Sequence, residues 1–213
     1  MKLEITITTK SNLYIGGMPQ GFEIGGIDMT TATRDGKPYI PASSFKGALK
    51  DICRDLPDND IAKLFKDFPD SANEPKHLSI FGIGGYNRTP KLIFTDFEIN
   101  MGNEEKSEES PKKENLFSID IKNSIEEKDG NLTSNPRTYK VVRNGLIFTG
   151  NIILNFDSLN DKDNHIEANS IVKEYIEKVC GKFKEGLYRL GNSKSRGYGL
   201  IEVLVKQSED EKA

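Results

Sequence analysis

Cysteine and histidine are both scarce in this chain of 213 residues, two of each, and that scarcity already excludes several kinds of site. Cys53 and Cys180 fall on apolar helical stripes, so buried free thiols are expected in preference to a disulfide or a metal site. His77 and His165 stand far apart with no Cys or carboxylate at ligand spacing, so no structural zinc is expected. No run of about 18 apolar residues is present to span a bilayer. The opening residues 1–9 alternate like a strand rather than forming a signal-peptide core. The expectation is a cytoplasmic protein with no membrane partner. A basic excess is missing too: 30 Lys and Arg face 33 Asp and Glu, a formal charge of −3 that does not by itself suggest nucleic acid.

The charge is unevenly spread. Residues 103–114 and the tail 207–213 are acidic and nearly free of apolar side chains, the composition of disordered segments. Without them the remainder is close to neutral or basic. A single domain over 1–213 accommodates the length, with insertions at about 100–115 (acidic, disordered) and 116–142 (an arm).

The most distinctive stretch is Leu190-Gly191-Asn192-Ser193-Lys194-Ser195-Arg196-Gly197-Tyr198-Gly199. So many glycines, serines and cations in ten residues do not pack as core. The segment reads as a surface loop that bares backbone N–H groups, suited to a phosphate chain or else a plain mobile turn. An apolar, β-branched run at 200–205 follows it and reads as a strand. That order argues against nucleotide-binding glycine loops, which run from strand to loop to helix.

Along the chain, Leu3, Ile5 and Ile7 give a first, half-buried strand, and a glycine-marked loop runs from Tyr14 to Asp28. The stretch from Asp28 to Thr33 is short and polar, and Asp35-Gly36 marks a turn. After Pro41 a helix is expected, N-capped by Ser43 or Ser44 and burying Phe45, Ala48, Leu49, Ile52 and Cys53. Lys46, Lys50 and Arg54 recur every four residues on another face, either a basic ridge for anions or a solvated face. A short helix over 60–68 is expected to bury Ile61, Leu64, Phe65 and Phe68. A strand over 91–99, apolar on both faces, is expected at the centre of a sheet.

The stretch 116–142 is irregular, with turn signals at Asp129-Gly130 and Asn135-Pro136, and reads as an arm without its own core. Asn144-Gly145 between apolar runs predicts a two-residue hairpin. Phe148, Ile152, Leu154 and Phe156 share a face of the next strand. A helix over 170–180 follows, stopped by Gly181. Strand, helix, strand, then strand, helix, strand is a split βαβ pattern. The fold class is therefore α+β, ferredoxin-like (RRM-like), with an antiparallel sheet and helices on one face.

Blocks spread through the chain carry a resemblance: Leu13-Tyr14-Ile15-Gly16-Gly17, Ile24-Gly25-Gly26-Ile27-Asp28, residues 39–47, Phe81-Gly82, Lys91-Leu92-Ile93-Phe94, and 191–199. In this order they resemble the RAMP superfamily of CRISPR proteins, most closely the backbone subunit of type III (Csm-type) effector complexes. The resemblance implies an antiviral-defence protein that polymerises with other copies of itself along a CRISPR RNA. Its partners would be target RNA and other type III CRISPR subunits.

It further implies an endoribonuclease (hydrolase) activity within the complex, cutting bound target RNA at regular intervals with Mg²⁺ through Asp28, which would be both catalytic and metal-binding. The alternative is a non-catalytic guide-binding subunit, with Asp28 a turn carboxylate. A lone processing nuclease is the third reading, and it would want a histidine in the site. The sequence departs from the family's habit at Tyr14, where histidine is frequent, at Ala42, where glycine is, and at Ile121, where arginine often follows the aspartate.

Joined to the physical reading, the expected RNA contacts are two groups flanking one groove. Ser44, Lys46, Lys50 and Arg54 come from the helix, and Gly191, Ser193, Lys194, Ser195, Arg196, Gly197 and Tyr198 from the loop. Contacts of this kind hold phosphates without reading bases, which suits a protein whose guide varies.

Overall fold

The computed structural model describes residues 1–17, 27–70, 74–86, 91–101, 116–128, 131–155 and 162–208. The acidic stretch 103–114, Gly25-Gly26, the Asp129-Gly130 turn signal, Phe156 and the last five residues of the tail lie outside them. Among the described residues, no helix is long and apolar enough to cross a membrane.

The first strand, β1 (Lys2–Thr9), buries Leu3, Ile5, Ile7 and Thr9 on one face as its alternation requires. It is flanked by β10 (Ile201–Gln207) and β9 (Ile147–Asn155), both antiparallel to it, and β5 (Lys91–Phe94) pairs antiparallel with β9. With helices α1 (Ala42–Asp55) and α3 (Lys162–Gly181) between these strands, the order β10-β1-β9-β5 is that of a ferredoxin-like sheet. Both helices pack on the buried face, where Phe45 of α1 meets Phe97 at 4.8 Å and Phe183 at 6.0 Å between ring centroids. Burying each such side chain stabilises the fold by about 1.5–3 kcal/mol. Cys53 and Cys180 are buried free thiols, as expected.

Several elements differ from the sequence reading. The strand expected over 91–99 is two, β5 and β6 (Phe97–Ile99), because the Thr95 hydroxyl takes the Asn151 N–H at 2.8 Å and Asp96 turns outward. β5 is not central, since β9 is its one partner among the described strands and Ile93 faces solvent. The polar stretch after Asp28 contributes short strands β2 (Met29–Thr30) and β3 (Thr33–Arg34), followed by β4 (Lys37–Ile40), which extends the sheet beyond β6.

Neither Ser43 nor Ser44 caps α1. Pro41 occupies the cap position, and the unpaired Ala42 N–H is met at 2.8 Å by Asp96 Oδ1, a partner 54 residues away that no local pattern shows. Helix α2 (Asn59–Leu64) is shorter than expected, capped by Asp58 through the N–H groups of Asp60 and Ile61. Helix α3 begins two turns earlier than the apolar stripe, and Gly181 does not stop it: the chain passes into a 3-10 turn, Lys182–Glu185, that ends at Gly186 with φ 78°.

The arm is regular. β7 (Phe117–Lys128) and β8 (Asn131–Val142) form a long antiparallel hairpin with an unbroken register from Phe117↔Val142 to Lys128↔Asn131. Asn135-Pro136 is not a turn: Pro136 pairs with Asn123 where, among the described residues, β8 has β7 as its one neighbour, a place in which a missing N–H costs little. Nor is the Asn144-Gly145 turn a hairpin, although Gly145 has the expected positive φ of 82°. β8 leaves it toward Leu13, and β9 toward β1, because Thr9 takes the Leu146 N–H on its hydroxyl at 2.9 Å and the Gly145 N–H on its carbonyl at 2.7 Å. The arm also has a small core at its base, made by Tyr14, Tyr139, Val141 and Tyr198.

Candidate nucleic-acid interface

The glycine-rich loop lies against the strand-like segment 13–16 and the first turn of α1. A groove of about 330 Å³ runs between them, lined by Ser43, Ser44, Gly47, Gly191, Asn192 and Lys194, among others. The topology thus brings together three of the expected RNA contacts, Ser44, Gly191 and Lys194. Ser195 and Arg196 sit exposed beside Lys194 on the 3-10 turn Lys194–Arg196, entered through Ser193 with φ 57° and left through Gly197 with φ 90°.

The loop is less open than its glycines suggest. The N–H groups of Asn192, Arg196, Gly197 and Gly199 are already bonded within the protein, to Tyr14, Ser193, Lys194 and Asn12 carbonyls. A Cβ on Gly191 would come 2.4 Å from Tyr14 O, and one on Gly199 only 1.9 Å from Leu190 O. Two of the three glycines therefore let the loop lie close on its own scaffold; they are not reserved for a ligand. What the loop presents outward is side-chain charge.

The helical ridge divides. Lys46 turns away from the groove and donates to Phe81 O at 2.9 Å. Lys50 pairs with Glu74 at 2.7 Å, and Arg54 with Asp51 at 3.0 Å, so protein carboxylates already answer these two cations. Asp51 also lines the groove.

Tyr198 is buried, its hydroxyl donating to Asp120 Oδ2 on β7. Asp120 also accepts from Asn12 Nδ2 at 3.3 Å and Ser118 Oγ at 3.0 Å. Burial by itself would push the Asp120 carboxyl up, but hydrogen bonds from Tyr198, Asn12 and Ser118, with the Lys122 charge, hold it below the usual carboxylate range. Burial and the adjacent carboxylate push the Tyr198 phenol well above its ordinary value, so it remains a donor. Lys122 Nζ stands 3.4 Å from the centroid of the Tyr198 ring. Its own pKa is drawn down by burial and then by Arg196, while Asp120 opposes both. Two cations, Lys122 and Arg196, therefore converge where the arm meets the loop, while Ile121 points to solvent, 73% exposed.

Asp28 is exposed at the foot of the arm, beside Thr138 on β8. Its N–H donates to Thr138 O at 3.1 Å and its Oδ2 accepts from Thr138 N–H at 2.6 Å. The carboxylate is fixed rather than free. Among the described residues no three His, Cys, Asp or Glu side chains gather as a metal site, so Asp28 alone does not make up a set of Mg²⁺ ligands.

Sequence reasoning missed Asp120, Lys122 and Asp96 as partners of the groove. A signal for Asp120 existed: Ser118, Asp120 and Lys122 alternate with Ile119 and Ile121, the period of a strand with one polar face turned inward.

Residues 6–202 match the model of a family described as the RAMP superfamily. Among solved structures, a chain of a "Type IV-B CRISPR Complex" superposes with a TM-score of 0.53 at 13% sequence identity, covering 100% of this chain and 96% of that one, a likeness of fold. No curated protein matches.

Proposed function

This chain belongs to the RAMP superfamily, and from that premise we propose that it is the guide-binding backbone subunit of a CRISPR effector complex, of the type III (Csm-type) kind. One observation carries the reading. The groove sets Ser44 at the start of α1 against Gly191 and Lys194, with the exposed Arg196 alongside, and offers small polar groups and cations to a phosphate chain. The subtype rests on the sequence blocks, as do the RRM-like description of the core and assembly with copies of itself.

The test is purification with native partners and sequencing of whatever RNA comes along. RNAs of many sequences sharing a uniform repeat-derived 5′ end are expected. Absence of RNA, or one RNA sequence only, would refute it.

A second reading, cleavage of bound target RNA through Asp28, is favoured by a different observation: an exposed carboxylate that accepts the Thr138 N–H at the root of the arm, on a main chain itself tied to Thr138 O. Such a group can orient an attacking hydroxyl or accept its proton. A complex reconstituted with Asp28→Ala and given labelled complementary RNA with Mg²⁺ should keep binding and lose regular cuts. Regular cuts that persist would remove Asp28 from the reaction.

A further inference from the structure

Beyond the first turn of α1 lies a second groove, larger than the first at about 580 Å³, and Ser43 lines both. Its walls include Lys46, Lys91, Tyr86 and the rings of Phe81 and Phe94, which stack with centroids 6.3 Å apart and planes 14° from parallel. Its volume is in the range of ordinary small-ligand sites.

Two features of it, its cations and its glycine, are unexplained by the fold. Lys46 is fixed by Phe81 O through one of the three donors an ammonium carries, which leaves the others for a ligand. Among the described residues no carboxylate pairs with Lys46 or with Lys91, whereas Lys50, one turn further on, has Glu74. Burial, and then the Lys50 and Lys91 charges, depress the Lys46 pKa.

Gly84 lines the groove without a positive φ and with no described atom within 4 Å of where its Cβ would stand. Neither packing nor backbone requires glycine there, so its effect is to leave main chain open to close approach. Finally, Tyr86 is 48% exposed at the rim, presenting a ring to the mouth of the groove.

We propose that this groove is a nucleotide site distinct from the guide groove, with a phosphate on Lys46 and Lys91 and a base against Tyr86. Cations without carboxylates, an open glycine backbone and aromatic walls are the parts such a ligand uses. Two sources present this chemistry, an RNA strand and a free mononucleotide, and the site treats both alike.

Photo-crosslinking of the full chain separates the sources. Thiouridine-substituted RNA and azido-ATP are the two probes, with labelled peptides located by mass spectrometry. Labelling of the peptide 81–94 is expected with at least one probe, and Lys91→Gln should weaken it about tenfold, the effect of losing one charge-assisted hydrogen bond. Labelling in 190–199 should be unchanged. An RNA adduct assigns a strand; an azido-ATP adduct that unlabelled ATP competes away assigns a free nucleotide. No adduct in 81–94 with either probe, or one that Lys91→Gln leaves at full strength, would overturn the proposal. An adduct in 81–94 with none in 190–199 would sink the guide-groove reading and leave this one standing.

Discussion

Tyr198 of the glycine-rich loop donates its phenolic hydrogen to Asp120 on the first strand of the arm, 78 residues away in the chain. The wall of the groove and the root of the arm are thereby one unit, with Tyr14 and Tyr139 packed edge to face beside the link at 5.4 Å. Tyr198→Phe keeps the packing and removes one donor from a half-buried carboxylate. The expected loss is about 1–3 kcal/mol in urea unfolding. Asp120→Asn should cost a similar amount, and the double variant less than the sum by at least about 0.5 kcal/mol. Strictly additive losses would show that the two side chains do not act on each other.

The same link has a defined pH range. Asp120 titrates below the ordinary carboxylate value in the folded protein, so its contribution is present above the unfolded value, about 3.9, and is lost as pH falls through the lower, folded one. Tyr198 is shifted upward, so its contribution is present below the unfolded value near 10 and is lost only as pH rises beyond it. The stability difference between the wild type and Asp120→Asn should therefore be flat from about pH 5 to 9 and shrink below about pH 4. A difference that fades between pH 7 and 5 would mean that another group controls the link.

Asp96 supports the groove from the opposite side. It accepts the Ala42 N–H at the start of α1 and pairs with Arg34, which also reaches Glu98 and lies 4.3 Å from the Tyr39 ring centroid. The Arg34 pairs are exposed and contribute little, so the cap is the larger part. Asp96→Ala should cost about 0.5–2 kcal/mol, whereas Ser43→Ala and Ser44→Ala, which cap nothing, should each stay within about 0.5 kcal/mol of the parent in thermal unfolding. The reverse ranking would restore the serines as caps.

How far the sequence disclosed this molecule depends on how far apart the partners lie. The stripe of α1, the alternation of β1 and the final strand are local patterns, and each is found where its period places it. The Asp96 cap, the Tyr198–Asp120 bond and the pairing of Lys50 with Glu74 join residues 54, 78 and 24 positions apart, and no period encodes them. The arm misled for another reason: the turn signals at Asp129-Gly130 and Asn135-Pro136 outweighed a short alternation, Ile119 and Ile121 against Ser118, Asp120 and Lys122, that points to a strand. The glycine-rich stretch was legible as a surface loop from its composition, but the close approach of Gly191 to Tyr14 O and of Gly199 to Leu190 O was not, because no local pattern sets those neighbours.

Among the described residues the cations divide into exposed ones and ones engaged by carboxylates, and the proposed guide groove predicts different roles for the two sets. Lys194 and Arg196 are exposed on the loop beside the groove, while Lys50 is held by Glu74 with both side chains 28% exposed. If single-stranded RNA follows the groove, each phosphate contact removed should lower the slope of log K against log salt by roughly 0.7. Lys194→Ala with Arg196→Ala is thus expected to lower it by about 1.4 for unrelated RNA sequences alike. Lys50→Ala should leave the slope alone, because that charge is already neutralised, and should appear instead as a small loss of stability, since Glu74 keeps only the longer contact to Arg54 at 3.8 Å. Binding measured at several salt concentrations with two unrelated RNAs decides the matter. A slope that falls with Lys50→Ala and not with the loop pair would move the phosphate path from the loop to the helix, and a loss confined to one RNA would mean that the loop reads bases.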